Sequence, residues 1–333
     1  MTLSEHFKPL LSLSQRFPLI FRILHRLLLS FVLLWAVTVM IFVGVEALPG
    51  DFATTYLGQS ATPEAVANIR VDLGIDRPLL TRYGEWLSNA LTGDFGTSWA
   101  SQQSVSEQIS RRLGNSLFLA LFAAIVAVPL SVGLGLIAVR YRNRIPDKLI
   151  NILSLAAVSL PEFFVGYLMI MLFVVTFPTA AFPSTVYDGM GFLSRLEAIV
   201  LPVATLVLVV LAHMMRMTRA AIMQVMSSAY METAELKGMS GLRAIIHHAA
   251  PNALAPIINV VALNLAYLIV GVVVVEVVFV YPGMGQYMID AVTVRDLPVV
   301  QACGLIFAAI YIALNMVADI LAILANPRLR HPR

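Results

Sequence analysis

The sequence predicts an all-α integral membrane protein that crosses the lipid bilayer six times with both ends on the cytoplasmic side, and three observations predict it. Hydrophobic residues fill 59% of the 333 positions and charged residues only 12%, against roughly 45–50% and about 25% in soluble domains. Six apolar stretches, 27–45, 117–139, 152–177, 198–217, 257–280 and 299–324, each approach or exceed the ~20 helical residues that a ~30 Å hydrocarbon core demands. The segments between them alternate in basic charge, as the retention of Lys and Arg on the cytoplasmic side requires. One side holds Lys8, Arg16, Arg22 and Arg26, then Arg140, Arg142, Arg144 and Lys148, then Arg216, Arg219, Lys237 and Arg243, and finally Arg328, Arg330 and Arg333. Those are fifteen of the 22 basic residues, so an even number of spans is needed. The net charge of +3 is too small to indicate nucleic-acid binding.

In chain order, residues 1–26 form a basic cytoplasmic segment. The first span, 27–47, lacks an A-x-A-like exit and is expected to stay as an uncleaved anchor. The outer segment 48–112 carries seven acids and five bases between Asp51 and Arg112, an ordinary solvated balance. Thr62-Pro63-Glu64 has the order of an N-cap, an N1 proline and a first-turn acid, opening a helix that Gly74 closes. Ser104 and Glu107 have capping-box spacing and lead into Val105, Ile109 and Leu113 on one helical face. With Trp86 and Leu87 these positions predict a small helical cap packed on the membrane domain.

Five further spans occupy residues 113–325. Pro129, Pro161 and Pro202 fall inside them, where kinks are expected. Gly133 and Gly135 permit close helix contact. Met214, Met215, Met217, Met223 and Met226 read as adaptable packing, and Cys303 as a small buried hydrophobe. The tail is 326–333.

The inner loop, within residues 218–255, has its own structure in the sequence. Serines 227 and 228 stand where an N-cap belongs, Glu232 lies early, Lys237 late and Gly238 last, the order that suits a helix dipole and a left-handed stop. A second short helix begins at Ser240-Gly241-Leu242-Arg243 and runs to Pro251. Two readings stand at this point. With Ala234 and Gly238 on one side, the pair forms a knob for a partner's groove, or it is an amphipathic helix lying on the membrane with no partner.

Glu232-Thr233-Ala234 followed by Gly238 resembles the Glu-Ala-Ala loop that marks permease subunits of bacterial ABC importers. The rest of the chain is similar to the dipeptide/oligopeptide permease family along nearly its whole length. The resemblance rests on Leu48-Pro49-Gly50-Asp51, Leu73-Gly74-Ile75-Asp76-Arg77-Pro78-Leu79, Gly93-Asp94-Phe95-Gly96-Thr97-Ser98 and Ser159-Leu160-Pro161-Glu162-Phe163-Phe164. It continues through the loop from Tyr230 to Asn252, Tyr281-Pro282-Gly283-Met284-Gly285, Arg295-Asp296-Leu297-Pro298-Val299-Val300-Gln301 and Asn326-Pro327-Arg328. The long outer loop looks like that of the first of the family's two permease subunits. Two departures stand out: Glu232 and Glu235 where relatives commonly carry bases nearby, and a proline in Ala250-Pro251-Asn252 where a base is frequent.

The resemblance implies the type I ABC importer permease fold, with a transmembrane domain over 113–325, placed in a bacterial inner membrane. It implies a second permease subunit in a heterodimer, two cytoplasmic ATPases that use ATP and Mg, and an extracytoplasmic solute-binding protein. This chain would bind no cofactor or metal and have no catalytic residue. Tyr230, Glu232, Thr233, Ala234, Lys237 and Gly238 would form the helix that couples to the ATPase. Consistently, the chain has no G-x-x-x-x-G-K-[ST] phosphate loop.

Ionisable residues in spans are costly, about 2.5–3.5 kcal/mol at the centre on insertion scales, and so are candidates for function. Glu162, Glu276 and Asp319 either line a translocation path or pair between helices, with His213, Arg216 and Arg219 at a comparable depth for Asp319. Tyr281-Pro282-Gly283 is either a re-entrant plug or a simple turn. The competing function is an ATP-independent secondary transporter or channel, which usually shows repeated halves with broken helices; no such repeat is visible. An intramembrane enzyme lacks any Ser/His, Cys/His or H-E-x-x-H arrangement.

Overall fold

The computed structural model describes residues 18–47, 50, 52–176 and 182–325, and its regular elements are helical. The terminal segments, Leu48, Pro49, Asp51 and the end of the third apolar stretch lie outside the described residues. In order the helices are α1 (Pro18–Glu46), α2 (Phe52–Leu57), α3 (Pro63–Asp72), α4 (Leu79–Leu91), α5 (Val105–Arg140), α6 (Ile145–Ser159), α7 (Glu162–Ile170), α8 (Phe192–Met226), α9 (Ala229–Leu236), α10 (Gly241–Ala244), α11 (Ala250–Asn252), α12 (Leu254–Phe279), α13 (Met284–Val294) and α14 (Leu297–Ala325). Five helices, α1, α5, α8, α12 and α14, are each long and apolar enough to cross a membrane unaided.

The sixth candidate span is a bent pair. Helices α6 and α7, the latter extended by a π-helical turn over Met171–Thr176, meet at 100°. Pro161 has no N–H to continue α6 and its ring pushes the preceding residue out of the helical region. Leu160 accordingly sits at φ −94°, ψ 132°. The kink expected at Pro161 is thus a full break that starts a new helix at Glu162. Pro129 and Pro202, by contrast, lie within unbroken α5 and α8.

α5 has 36 residues and α8 has 35, about 50 Å each at 1.5 Å per residue. Both outrun the lipid core. The short outer helix expected from Ser104 and the second span are therefore one helix: Ser104 Oγ accepts from Glu107 N at 3.4 Å and the helix then continues through the membrane to Arg140. α5 and α8 pack along each other and form the spine of the molecule. Gly135 makes the closest approach, since a Cβ there would stand 3.0 Å from Thr218 Cγ2, whereas Gly133 has open space and contributes nothing of the kind. The main core joins Leu119, Ala123 and Ala127 of α5 to Leu206, Val210 and Met214 of α8 and to Leu268, Val272 and Val275 of α12.

α1 runs along α14 at the edge of the bundle. The cap hangs on its outer end. Arg82 of α4 donates to both carboxylate oxygens of Glu46 at 2.8 and 2.6 Å, Tyr83 and Thr38 hydroxyls meet at 2.8 Å, and Trp86 lies 5.8 Å from the Phe42 ring. Within the cap, Thr62 Oγ1 accepts from Ala65 N at 3.3 Å to open α3, and Gly74 at φ +65° follows its end. Val105, Ile109 and Leu113 of α5 pack with Met284, Ala291, Val299 and Cys303, which places the cysteine in a buried apolar cluster.

One side chain ties the cap to the far end of the chain. Arg295 adopts a left-handed conformation, φ 64°, and so turns Asp296 into the entrance of α14. The buried Asp296 carboxylate then accepts from Ser98 Oγ, from Trp99 N at 3.1 Å and from Ala100 N at 3.2 Å. Replacing Asp296 by Ala leaves the buried Ser98 hydroxyl and the two backbone N–H groups without their acceptor and is expected to weaken docking of the cap by about 2–3 kcal/mol. Limited proteolysis should show it as accelerated cutting within residues 92–104, with membrane insertion unchanged.

Candidate functional site

The residues singled out in the sequence fall into three places along the membrane normal. At one end of the bundle, the end expected to face the cytoplasm, α9, α10 and the turn leading to α12 form a compact knuckle. Met231 of α9 is fully buried with Ile222 of α8, Ala244 and Ile245, Val139 of α5 and Ile257 of α12. The Tyr230 hydroxyl donates to His248 O at 2.8 Å and accepts from Asn252 Nδ2 at 3.0 Å, bracing the two limbs. Gly238, at φ +79°, ends α9, and Met239 N returns to Ala234 O at 3.3 Å. That bond closes a left-handed helix stop.

The knob is therefore built, but its outward face differs from the one expected. Ala234 turns inward, while Glu232, Thr233, Leu236, Lys237 and Gly238 are exposed. Leu236 is 83% exposed, an apolar side chain held at the tip of a polar loop. Ser228 does not cap α9 through its side chain either, since its hydroxyl donates back to Val225 O at 2.6 Å.

Midway along the long apolar helices lies a cavity of about 520 Å³, and Glu162 is on its wall. His213 of α8, Asn264 and Tyr267 of α12 and Tyr311 of α14 line it as well. Tyr267 is midway along the 26 residues of α12, and Tyr311 midway along the 29 of α14. Glu162 reaches this depth because the break at Pro161 delivers it at the first turn of α7, where the free N–H groups favour a carboxylate. Its carboxylate rests on α12 at Gly271, where any Cβ would come within 2.7 Å of Oε1. Glu162 Oε1 is buried with no hydrogen-bond partner among the described residues.

At the opposite end of the bundle, Glu276, Tyr281, Pro282 and Gly283 form a latch and do not line the cavity. Glu276, with no exposed surface, accepts from Gly285 N at 2.7 Å, from Gln286 N at 3.1 Å and from Ser116 Oγ. Ser116 Oγ in turn accepts from Met284 N at 2.8 Å. Three N–H groups of the first turn of α13 thus end on one carboxylate and one hydroxyl, which is how a buried helix start must be satisfied. The reversal begins at Val280, φ 52°, and Tyr281 N bonds back to Glu276 O at 2.8 Å. The Tyr281 hydroxyl donates to Asn115 O at 3.1 Å, and burial pushes its phenol up to about 12, so it stays a donor. Asn115 Nδ2 donates to Pro282 O at 2.9 Å, and Arg195 Nη2 donates to Asn115 Oδ1 at 2.7 Å. A helix, α13, does follow the turn, but these four residues anchor it instead of facing an open path.

Asp319 is likewise placed elsewhere. It pairs with Arg26 of α1 at 2.7 Å, both side chains part-exposed. The Arg219 considered for it is engaged by Asp147 of α6, whose two oxygens accept from Arg219 Nε and Nη2 at 2.9 Å each.

Comparison with known proteins identifies the family. Residues 127–331 match the family model described as binding-protein-dependent transport system inner membrane component, and residues 19–120 match the model for the N-terminal part of such components. The chain belongs to this family. A putative peptide transport system permease protein of Brucella abortus (strain 2308) is 35% identical over 312 residues, covering 93% of this chain and 98% of the relative. The glutathione transport system permease protein GsiC of Escherichia coli (strain K12) is 35% identical over 314 residues, with the same two coverages. The chain is accordingly the inner-membrane permease component of an ABC import system, and ATP hydrolysis lies in separate subunits.

Within the permease, sequence reasoning missed three pairings that carry much of the architecture: Asp147 with Arg219, Asp296 with Ser98, and Ser116 with Glu276. Asp147 was visible as a first-turn acid directly after Pro146, the second residue of α6, and Asp296 as part of an unexplained motif. Ser116 had no signal at all, because a serine in an apolar helix reads as neutral.

Gly283 and Gly285 test the latch. A Cβ at Gly283 would collide with the Glu276 carboxylate, and one at Gly285 would stand 2.6 Å from Val273 Cα. Gly283→Ala and Glu276→Ala are each expected to cost about 3 kcal/mol or more, seen as a lowered midpoint for loss of the monodisperse peak after heating in detergent. Glu276→Gln should fall between wild type and Glu276→Ala, since its amide keeps one acceptor but turns an NH₂ toward backbone donors.

Proposed function

We propose that this permease moves peptides or similar small solutes, delivered by a binding protein, through the cavity beside Glu162 when ATPase subunits act on the exposed knuckle at Glu232–Gly238. The observation that carries the reading is that one rigid element joins the two places: α8 lines the cavity with Val209, Val210 and His213 and runs straight on to the turn that starts α9. A 35-residue helix transmits displacement where a loop would absorb it. The Asp147–Arg219 fork ties the same helix to α6, so α6 and the Pro161 break move with it. Glu232, Thr233 and Lys237 would supply polar contacts to the ATPase and Leu236 an apolar one, with exposed Tyr230 bracing the two limbs and Ala234 packed inward.

The names of the relatives support the solute class, one referring to peptide transport and one to glutathione transport. In this reading both termini are cytoplasmic, a second and different permease subunit completes the path, and two ATPases use ATP with Mg while this chain holds no cofactor. The division at 112/113 separates an outer-loop region from a transmembrane region whose first helix, α5, nonetheless begins in the loop.

Affinity purification of the tagged chain in mild detergent should recover ATPase subunits, and uptake should require ATP. Absence of both would favour the ATP-independent carrier. Gly238→Val forces a β-branched residue into a left-handed conformation, at a cost of about 1–2 kcal/mol, and Glu232→Lys reverses an exposed charge. Each is expected to cut ATP-dependent uptake about tenfold, a loss of roughly 1.4 kcal/mol in coupling, with chain abundance in the membrane unchanged. Normal uptake in both variants would remove the knuckle from the mechanism.

A further inference from the structure

We infer that Glu162, seated on Gly271, is a subsite for the protonated amino group of the solute in transit. The inference rests on the permease reading and adds what the cavity recognises. Three observations converge on it. First, part-buried Glu162 lines the cavity with a carboxylate whose Oε1 is packed against Gly271 and has no hydrogen-bond partner among the described residues. A buried carboxylate without partners is avoided unless a partner arrives. Second, the wall is shaped to hold it. Asn264, Tyr267 and Gly271 lie at spacings of three and four residues, hence on one face of α12. Gly271 leaves room for the carboxylate that an alanine would fill, with its Cβ 2.7 Å from Oε1. Third, the surroundings suit an organic cation. Tyr267 and Tyr311 line the same space, and aromatic faces attract ammonium groups.

A metal ion fits less well. Divalent cations take several oxygen, nitrogen or sulfur ligands, and among the described residues no group of three or more His, Cys, Asp or Glu is placed to hold one. The cavity, about 520 Å³, falls within the roughly 300–1,000 Å³ that small-ligand sites occupy. Val209, Val210 and Leu263 give it an apolar side. A free amine on Glu162 with an uncharged side chain against those residues satisfies both halves of the wall. A solute whose amino group is acylated leaves the carboxylate unpaired and is discriminated against there.

Protection from carbodiimide labelling tests this without relying on the binding protein's own selectivity. The assembled complex, purified with its partner subunits, is treated with dicyclohexylcarbodiimide, and modification of Glu162 is followed by peptide mass spectrometry, with Glu162→Gln as the blank. Tri-alanine should slow labelling roughly tenfold once it exceeds its dissociation constant about ten times over, while N-acetyl-tri-alanine at the same concentration should protect far less. Gly271→Ala should abolish that difference. Equal protection by both peptides, or none by tri-alanine, overturns the subsite, and this comparison on the wild-type complex decides even where a variant fails to assemble. ATP-dependent uptake by the same complex in proteoliposomes is read in parallel. Intact uptake without differential protection sinks the subsite alone, whereas absent uptake sinks the coupling mechanism and leaves the protection result standing.

Discussion

The carboxylate of Glu276 is enclosed on every side at the outer end of α12, in a place where neither water nor lipid headgroup solvates it. Everything in the outer half of the molecule is arranged around keeping it paired. Its oxygens collect two backbone donors from the start of α13, and Ser116 of α5 supplies a third bond. Those bonds require the turn from Val280 to Gly283 to fold back tightly, which requires glycine at 283, where a methyl group would occupy the carboxylate's own volume, and at 285, where one would press on the Val273 backbone and the same carboxylate. The turn in turn presents Pro282 O and the Tyr281 hydroxyl to Asn115, and Asn115 holds Arg195 at the head of α8. One buried charge thereby fixes α5, α8, α12 and α13 relative to one another.

The inner half is organised by the same rule with different partners. Asp147 is buried near the start of α6 and would be costly alone. It is saturated by the Arg219 fork, by Asn143 N at 2.9 Å and by Asn151 Nδ2 at 2.7 Å. The Arg219 fork has one geometry, and that geometry joins α6 to α8. Between the outer and inner knots the spans make mostly apolar contacts, which resist separation but slide more readily than hydrogen-bonded networks. A transporter built this way has stiff ends and a yielding middle, and the middle is where the cavity lies.

The elements most legible in the sequence were those whose cause is local. Thr62 and Ser104 cap the helices they were expected to cap, Gly238 and Gly74 sit in left-handed conformations at helix ends, and apolar length located the spans. Less legible was anything set by distance in the chain. Pro161 announced a kink, but whether the helix bends or breaks depends on what packs behind it. Ala234 belonged by pattern to an outward-facing knob, yet the need to bury Met231 against α5, α8 and α12 rolls α9 so that Ala234 points inward. The partners of Glu276 and Asp319 are 160 and 293 residues away in the chain, and no periodicity reports a contact of that kind.

Against these saturated acids, Glu162 is the exception that carries meaning. Glu276, Asp147 and Asp296 show how this chain treats a buried carboxylate it uses for architecture: three or more donors converge, drawn from elements that are thereby locked together. Glu162 is delivered to mid-membrane by a helix break, given a glycine to rest on, and then left with a buried oxygen that no described residue satisfies. A fold that elsewhere pairs its acids so fully departs from local consistency where function requires it. For the proposed subsite an incomplete pairing is the appropriate chemistry, since a donor built into the protein would compete with the solute's amine for the same carboxylate.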